Sequence, residues 1–297
     1  MDIPQRDLRC RWSSRGHIWR PTRWHLALAP TERDRVKSRG RNTGRDGRWR
    51  RFDGRPKRLL AGMLLFLLSG TPSWARSPLT VEVRVFSTRY HEHLSRLDAI
   101  REELLLATKN DADVEDLIAL AQVCFIWGDV RAATSEQKLA AYEQGRRAAK
   151  RAVELDPKNA AAHFWYGTNT ARWGQSNGVV RSLFLLPTVR QEIQTVLALD
   201  PKFTPVYALA GNVLYEVPTL AGGDLRRAEE MFRTGLKQDP KFTGMRVGLA
   251  KVLIRQHRVA EARRELQTVL DERDPRNLAD WVMKDSAQAL TLLRSIQ

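Results

Sequence analysis

Four copies of an acidic-proline-basic turn set the rhythm of this chain. LDPKNA begins at Leu155, LDPKFT at Leu199, QDPKFT at Gln238 and a looser ERDPRN at Glu272, which places prolines at 157, 201, 240 and 275. Proline pushes the residue before it out of the α region, so each turn ends a helix. The stretches ending there read as helices with apolar contact positions: AYEQGRRAAKRAVEL, RRAEEMFRTGL and AEARRELQTVL. Those after the turns, NAAAHFWYGTNTARWG, FTPVYALAGNVLY and FTGMRVGLAKVL, start a second set. A chain punctuated this way is a row of helix pairs. One pair buries only part of its apolar face, so neighbours must stack to complete a core.

The prolines lie 44, 39 and 35 residues apart, close to the roughly 34-residue period of tetratricopeptide repeats with insertions of about 10, 5 and 1. Each first helix carries a small residue at the eighth repeat position, namely Gly167, Gly211 and Ala250, where a larger one would force the paired helices apart. In the second helices Ala152, Ala228, Phe232 and Ala262 fall at contact positions. A further first helix, VEDLIALAQVCFIWGD, precedes Ala141, giving about four pairs from Val114 to Pro275. The expected fold is an all-α, tetratricopeptide-like αα superhelix, with the array over residues 113–276. Residues 76–112 are read as an extended leader, from the alternation TVEVRVF at Thr80, followed by a helix with an apolar stripe from Leu94 to Leu105. Residues 277–297 are read as a C-terminal capping helix.

Upstream lies KRLLAGMLLFLLSGTPSWARS, with basic residues, a short apolar run from Leu59 to Leu68, and small residues around Trp74. This is the pattern of a secretory signal, expected over residues 59–75 with cleavage after Ala75 and export to the periplasm. The run is shorter than the roughly 20 apolar residues that span a bilayer, so no stable membrane span is expected. No cysteine stands near the cut to accept a lipid. Residues 1–58 carry 18 Lys and Arg against 6 Asp and Glu, and are read as a basic leader outside the working protein. The remainder carries 32 against 28, so the overall net charge of +16 is mostly a property of the leader. The basic balance therefore does not point to nucleic acid, although a cytosolic adaptor using the basic arm would follow if the signal reading failed. After the cut one cysteine remains, Cys124, and with it no intramolecular disulfide.

Two segments are more particular than the repeat background: HFWYGTNTARWGQ, from His163 to Gln175, and LYEVPTLAGGDLRRAEEMF, from Leu214 to Phe232. With the intervening RSLFLLPTVRQEIQTVLALDPKF they resemble the T-component family associated with TRAP-type transporters, over roughly Asp113 to the C-terminus. That resemblance implies a periplasmic helical-repeat accessory whose partner is a transporter's substrate-binding protein, with a small organic or apolar ligand as a further expectation. The other reading is an envelope scaffold for protein–protein interaction with no transport role.

Candidate binding residues on the inner face are Trp165, Asn169, Arg172 and Trp173 in one first helix, and Asn212 and Tyr215 in the next. Asparagine is an uncommon choice inside a helix unless it bonds something, and Asn169 and Asn212 are expected to offer their amides to a guest. Tyr166, Leu209 and Ala210 read as packing residues. Pro218, Gly222, Gly223 and Asp224 read as a structural turn, with Asp224 capping the second helix. The insertion SNGVVRSLFLLPT, Ser176 to Thr188, is apolar for a connection; a short extra helix tucked onto the array is expected, with a homo-oligomer contact or an apolar ligand passage as the functional alternatives. HExxH, GxSxG, Walker and paired-cysteine motifs are absent from the sequence. His91 and His93 stand two apart and face different sides of a helix. No cofactor, metal or catalytic residue is expected.

Overall fold

A computed structural model describes residues 77–110 and 112–296. The basic leader and the signal segment lie outside the described residues. Among the described residues all regular structure is helical. Four antiparallel pairs form the body: α3 (Val114–Val130) with α4 (Ser135–Leu155), α5 (Ala160–Ser176) with α6 (Val179–Leu199), α7 (Pro205–Glu216) with α8 (Leu225–Gln238), and α9 (Thr243–Arg255) with α10 (Val259–Asp271). They are preceded by α1 (Pro78–Phe86) and α2 (Leu94–Ala107), and followed by α11 (Leu278–Asp280), a π turn over Trp281–Asp285, and α12 (Ser286–Ser295).

The recurring turn works the same way three times. Asp156, Asp200 and Asp239 cap the C-termini of α4, α6 and α8. Each accepts at Oδ1 from the backbone N–H two residues on, at 3.1, 2.9 and 3.2 Å, the Asx-turn that suits aspartate here. The carbonyl of each following proline is then taken by a side chain six residues later in the next helix. His163 Nε2 lies 3.0 Å from Pro157 O, Tyr207 donates its hydroxyl to Pro201 O at 2.9 Å, and Arg246 donates to Pro240 O at 2.9 Å. Three chemically different residues thus tie the same carbonyl of the turn to the helix that follows.

Packing follows the small-residue positions. Ala152, Ala228, Phe232, Ala250 and Ala262 are fully buried, and a Cβ on Gly211 would stand 2.7 Å from the Phe232 ring. Cys124 is buried in the core, which pushes its thiol up to about 11. Two apolar clusters result. One is centred on α2 to α4 with Leu97, Ile100, Leu104 and Leu117, the other on α7 to α10 with Phe232, Met245, Leu253 and Leu266; Trp165 packs against both.

Two expectations need correction. The leader is not extended: Pro78–Phe86 is a helix, begun by Ser77, whose Oγ accepts from Thr80 N, and by proline in its first turn. Asp116 of α3 holds it by accepting from Ser77 Oγ at 2.5 Å and Thr80 Oγ1 at 2.7 Å. A strand there would have no partner for its backbone groups, whereas the helix buries Thr80 and Val83 and leaves Val81 and Val85 in solvent. The insertion at Ser176–Thr188 is likewise not a separate tucked helix. From Val179 it is the first half of the 21-residue α6, with Pro187 inside the helix. Val179, Val180 and Phe184 are exposed rather than packed on the array.

Candidate functional site: the inner face of the stack

The first helices of the pairs form one face of the stack, and side-chain contacts join α3 to α5 and α7 to α9 along it. Phe125 of α3 meets Trp165 of α5 with ring centroids 5.6 Å apart. Arg172 of α5 is bonded to Asp129 of α3 and approaches the Tyr142 hydroxyl at 3.3 Å. Further along, Arg255 of α9 stacks 4.7 Å from the Tyr215 ring of α7 and donates to the Tyr215 carbonyl at 2.8 Å.

Asp129 is the electrostatic centre of the N-terminal half. Burial opposes its charge, but Arg172, Lys284 and the Tyr142 hydroxyl at 2.7 Å outweigh that and hold the carboxyl below the usual range. Against partial desolvation, Asp129 and the Tyr142 hydroxyl in turn raise the proton affinity of the half-exposed Arg172 guanidinium. At the other end Asp285 is buried and accepts from Thr243 Oγ1 at 2.7 Å. Burial first, then the neighbouring Asp280, raises its carboxyl to about 6, against the pull of Thr243, Lys284 and Lys251.

The six candidate residues do not form one patch. Asn169 is fully buried, and its amide nitrogen donates to Ala121 O at 3.1 Å and Trp165 O at 3.0 Å. It therefore ties α5 to α3 and cannot meet a guest. Asn212 is exposed on α7. The expectation that the two asparagines share a groove is thus corrected: they sit at different angles around their helices, one turned into the core. Trp173 also faces away from Trp165. It lies between α4 and α6, with Arg146 at 5.1 Å and Arg181 at 5.6 Å from its ring. Trp165, Arg172 and Tyr215 remain on or beside the inner face, together with Asn212. Tyr166 and Leu209 are half-buried and Ala210 buried.

In the turn between α7 and α8, Pro218 opens a single 3-10 turn over Thr219–Ala221, and Gly222 comes next with a left-handed φ of 88°. A Cβ on Gly223 would fall 1.7 Å from Val217 O, a close approach that only glycine permits. Asp224 Oδ1 accepts from Arg227 N at 3.0 Å and begins α8. Arg190 of α6 ties the turn down by donating to the carbonyls of Ala221 and Gly222.

Phe125, Asp129, Lys251, Arg255 and Lys284 belong to this face and were not singled out from the sequence, where they are scattered through unrelated polar and apolar runs. Thr168 Oγ1 and Arg172 Nε, one turn apart on α5, are buried without a protein partner. Among the described residues no group of His, Cys, Asp and Glu could hold a metal ion. No helix among them is long and apolar enough to cross a membrane.

Comparison with known proteins agrees with this architecture. A family model described as Regulator of microtubule dynamics protein 1-3 matches residues 88–234, and a tetratricopeptide repeat model matches residues 219–280. No curated protein matches the chain. Among solved structures it is similar to a thermophilic TPR protein of Thermus thermophilus, at 17% identity and a TM-score of 0.53, over 73% of this chain and 98% of that one. MamA from Desulfovibrio magneticus aligns at 16% identity with a TM-score of 0.42, over 66% of this chain and 96% of the other. Four stacked helix pairs, the repeat match and the fold of the Thermus protein together establish that this chain contains tetratricopeptide repeats.

Proposed function

We propose that this protein is a binding scaffold that takes a segment of a partner protein on its inner face, and that the partner is the substrate-binding protein of a TRAP-type transporter in the periplasm. The observation that carries the scaffold reading is the polar row on α7 and α9. Asn212 and Arg255 are exposed beside Tyr215, whose ring Arg255 already covers. An amide that both donates and accepts, next to a fixed guanidinium, suits an extended backbone and its carboxylates. The transport role is supported by the sequence resemblance at His163–Gln175 and Leu214–Phe232, and the location by the signal pattern before Ala75.

A second reading is a scaffold with no transport role. It is favoured by the match of residues 88–234 to the Regulator of microtubule dynamics model, which runs through the same two segments.

The test is capture of the substrate-binding protein by the full chain, with isothermal titration of the purified pair. Asn212→Ala with Arg255→Ala should weaken binding at least about fivefold, the scale of one lost hydrogen bond, without loss of helical signal. Asn169→Ala serves as the contrast: it should lower stability through the core. Absence of any binding to the substrate-binding protein removes the transport role. Unchanged affinity in the double variant removes the inner face as the site.

A further inference from the structure

The C-terminal segment has two parts that do different things. Residues 286–296 cap the last repeat: Ala289 is fully buried, and Leu292, Leu293 and Ile296 pack onto the C-terminal cluster. Residues 277–285 instead reach back to the first of the described helices. Ala279 N donates to Thr88 O at 2.9 Å, and Asn277 Nδ2 donates to Ser87 O at 3.2 Å. The hydroxyl of Tyr90, itself fully buried, donates to Asp280 Oδ1 at 2.7 Å. Lys284 Nζ stands 3.6 Å from Asp129 Oδ2 and 5.9 Å from the centre of the Phe125 ring. Ala279 is fully buried in the N-terminal cluster while Trp281, two residues on, packs on the C-terminal one.

Within its own segment Lys284 Nζ pairs with Asp280 Oδ1 at 2.7 Å, and the rest of its seat is built by residues outside the segment. Arg172 and the Tyr142 hydroxyl both engage Asp129 Oδ1, and Oδ2 faces the ammonium beside an aromatic ring. An oriented carboxylate next to an aromatic face is matched to a lysine, through charge and cation–π attraction together. Lys284 stands in the π turn over Trp281–Asp285. Consecutive residues on a helix point about 100° apart, so Lys284 meets Asp129 while Asp285 meets Thr243.

We infer that the Phe125–Asp129 seat is a recognition surface for a lysine-bearing segment, that its resident occupant is this chain's own residues 277–285, and that an outside segment of the same chemistry reaches it only when these residues lift. The inference rests on the inner-face reading for its biological use, but the internal contact is tested without any partner.

The experiment uses the full chain carrying Asn277→Asp with Lys284→Ala. Aspartate keeps the cap that Asn277 Oδ1 gives to Asp280 N and loses the donor to Ser87 O. Loss of Lys284 leaves Asp129 paired with Arg172 and Tyr142, so the fold is retained. Hydrogen exchange at the amides of 277–285 and 87–90 should rise at least tenfold, with 286–295 unchanged. A fluorescent peptide of residues 276–288 should bind the variant at least tenfold more tightly than the unaltered chain, and adding Asp129→Asn should abolish that gain. Unchanged exchange, or equal peptide affinity for the two chains, overturns the inference. Tyr90→Phe, which removes one hydroxyl and nothing else, gives a second reading of the same exchange should the double variant misfold; no increase at 277–285 there overturns it as well. A chain that opens and takes the peptide but binds no outside protein leaves this inference standing and removes the partner reading.

Discussion

Asp285 is a carboxylate placed where its charge is unwelcome. Its neighbours are Thr243 on α9, Lys251 on α9, and Asp280 and Lys284 on its own segment, and burial raises it to about 6. Well below pH 4 both folded and unfolded chains hold the proton, and no cost arises. As pH rises toward 6 the unfolded chain releases its proton first, so this group's contribution to stability falls, by at most about 3 kcal/mol for a shift of this size. Asp285→Asn keeps an acceptor for Thr243 and removes the titration. It should raise stability at pH 8 by about 1–2 kcal/mol and change it little at pH 4, measured by urea unfolding at both. An equal effect at the two pH values would show that burial does not set this carboxyl's affinity for its proton. Single residues are also where sequence reasoning is weakest. Asn169 and Asn212 look alike as residue types, yet one closes the interior against Ala121 O and the other faces solvent, because they sit at different angles around their helices and only the first is turned onto a neighbouring helix.

At the scale of elements, the four pairs are legible because proline, aspartate and small residues recur for reasons of backbone geometry. What holds each pair to the next is less legible. His163, Tyr207 and Arg246 do one job with three chemistries, so no shared letter marks the position. The helix at Pro78–Phe86 is hidden for a different reason: its alternation fits a strand, and only the absence of a strand partner and the presence of Asp116 decide otherwise. The exposed apolar turn at Val179–Phe184 is legible as unusual, but not as the start of α6. Close packing within a pair can be tested at Gly211. A methyl there would meet the Phe232 ring at 2.7–2.8 Å, and Phe232 is fully buried with little room to turn. Gly211→Ala should cost about 1–3 kcal/mol through overpacking, against a gain of under about 1 kcal/mol from helix propensity. Thermal unfolding decides, and a stabilised variant would mean that α7 and α8 separate freely.

For the whole molecule, the question is whether the stack unfolds as one body. Repeat arrays are coupled through neighbouring interfaces alone, and here the two apolar clusters share the Trp165 side chain. Its ring meets Phe125 at 5.6 Å on one side and Phe164 at 4.9 Å on the other, and Phe164 in turn meets Phe203 at 5.1 Å. This row carries contact from α3 to the turn before α7. The second link is the return of residues 277–285 to Ser87–Tyr90, which joins the first described helices to the last. An array linked at its middle and at its ends should unfold in a single transition, because loosening one cluster strains both links. Trp165→Ala removes the middle one. Since Trp165 is half-buried, the loss should fall near the lower end of the usual range for a large aromatic, about 3 kcal/mol. The sharper signature is cooperativity: with the shared aromatic gone, the C-terminal cluster, which has the larger set of half-buried apolar side chains packed on it, should persist after the N-terminal one has melted. Urea unfolding followed by circular dichroism and by hydrogen exchange should then give two separated transitions in Trp165→Ala and one in the parent chain. A variant that loses stability but still unfolds in one step would place the coupling elsewhere, in the backbone-to-backbone contact of Ala279 with Thr88.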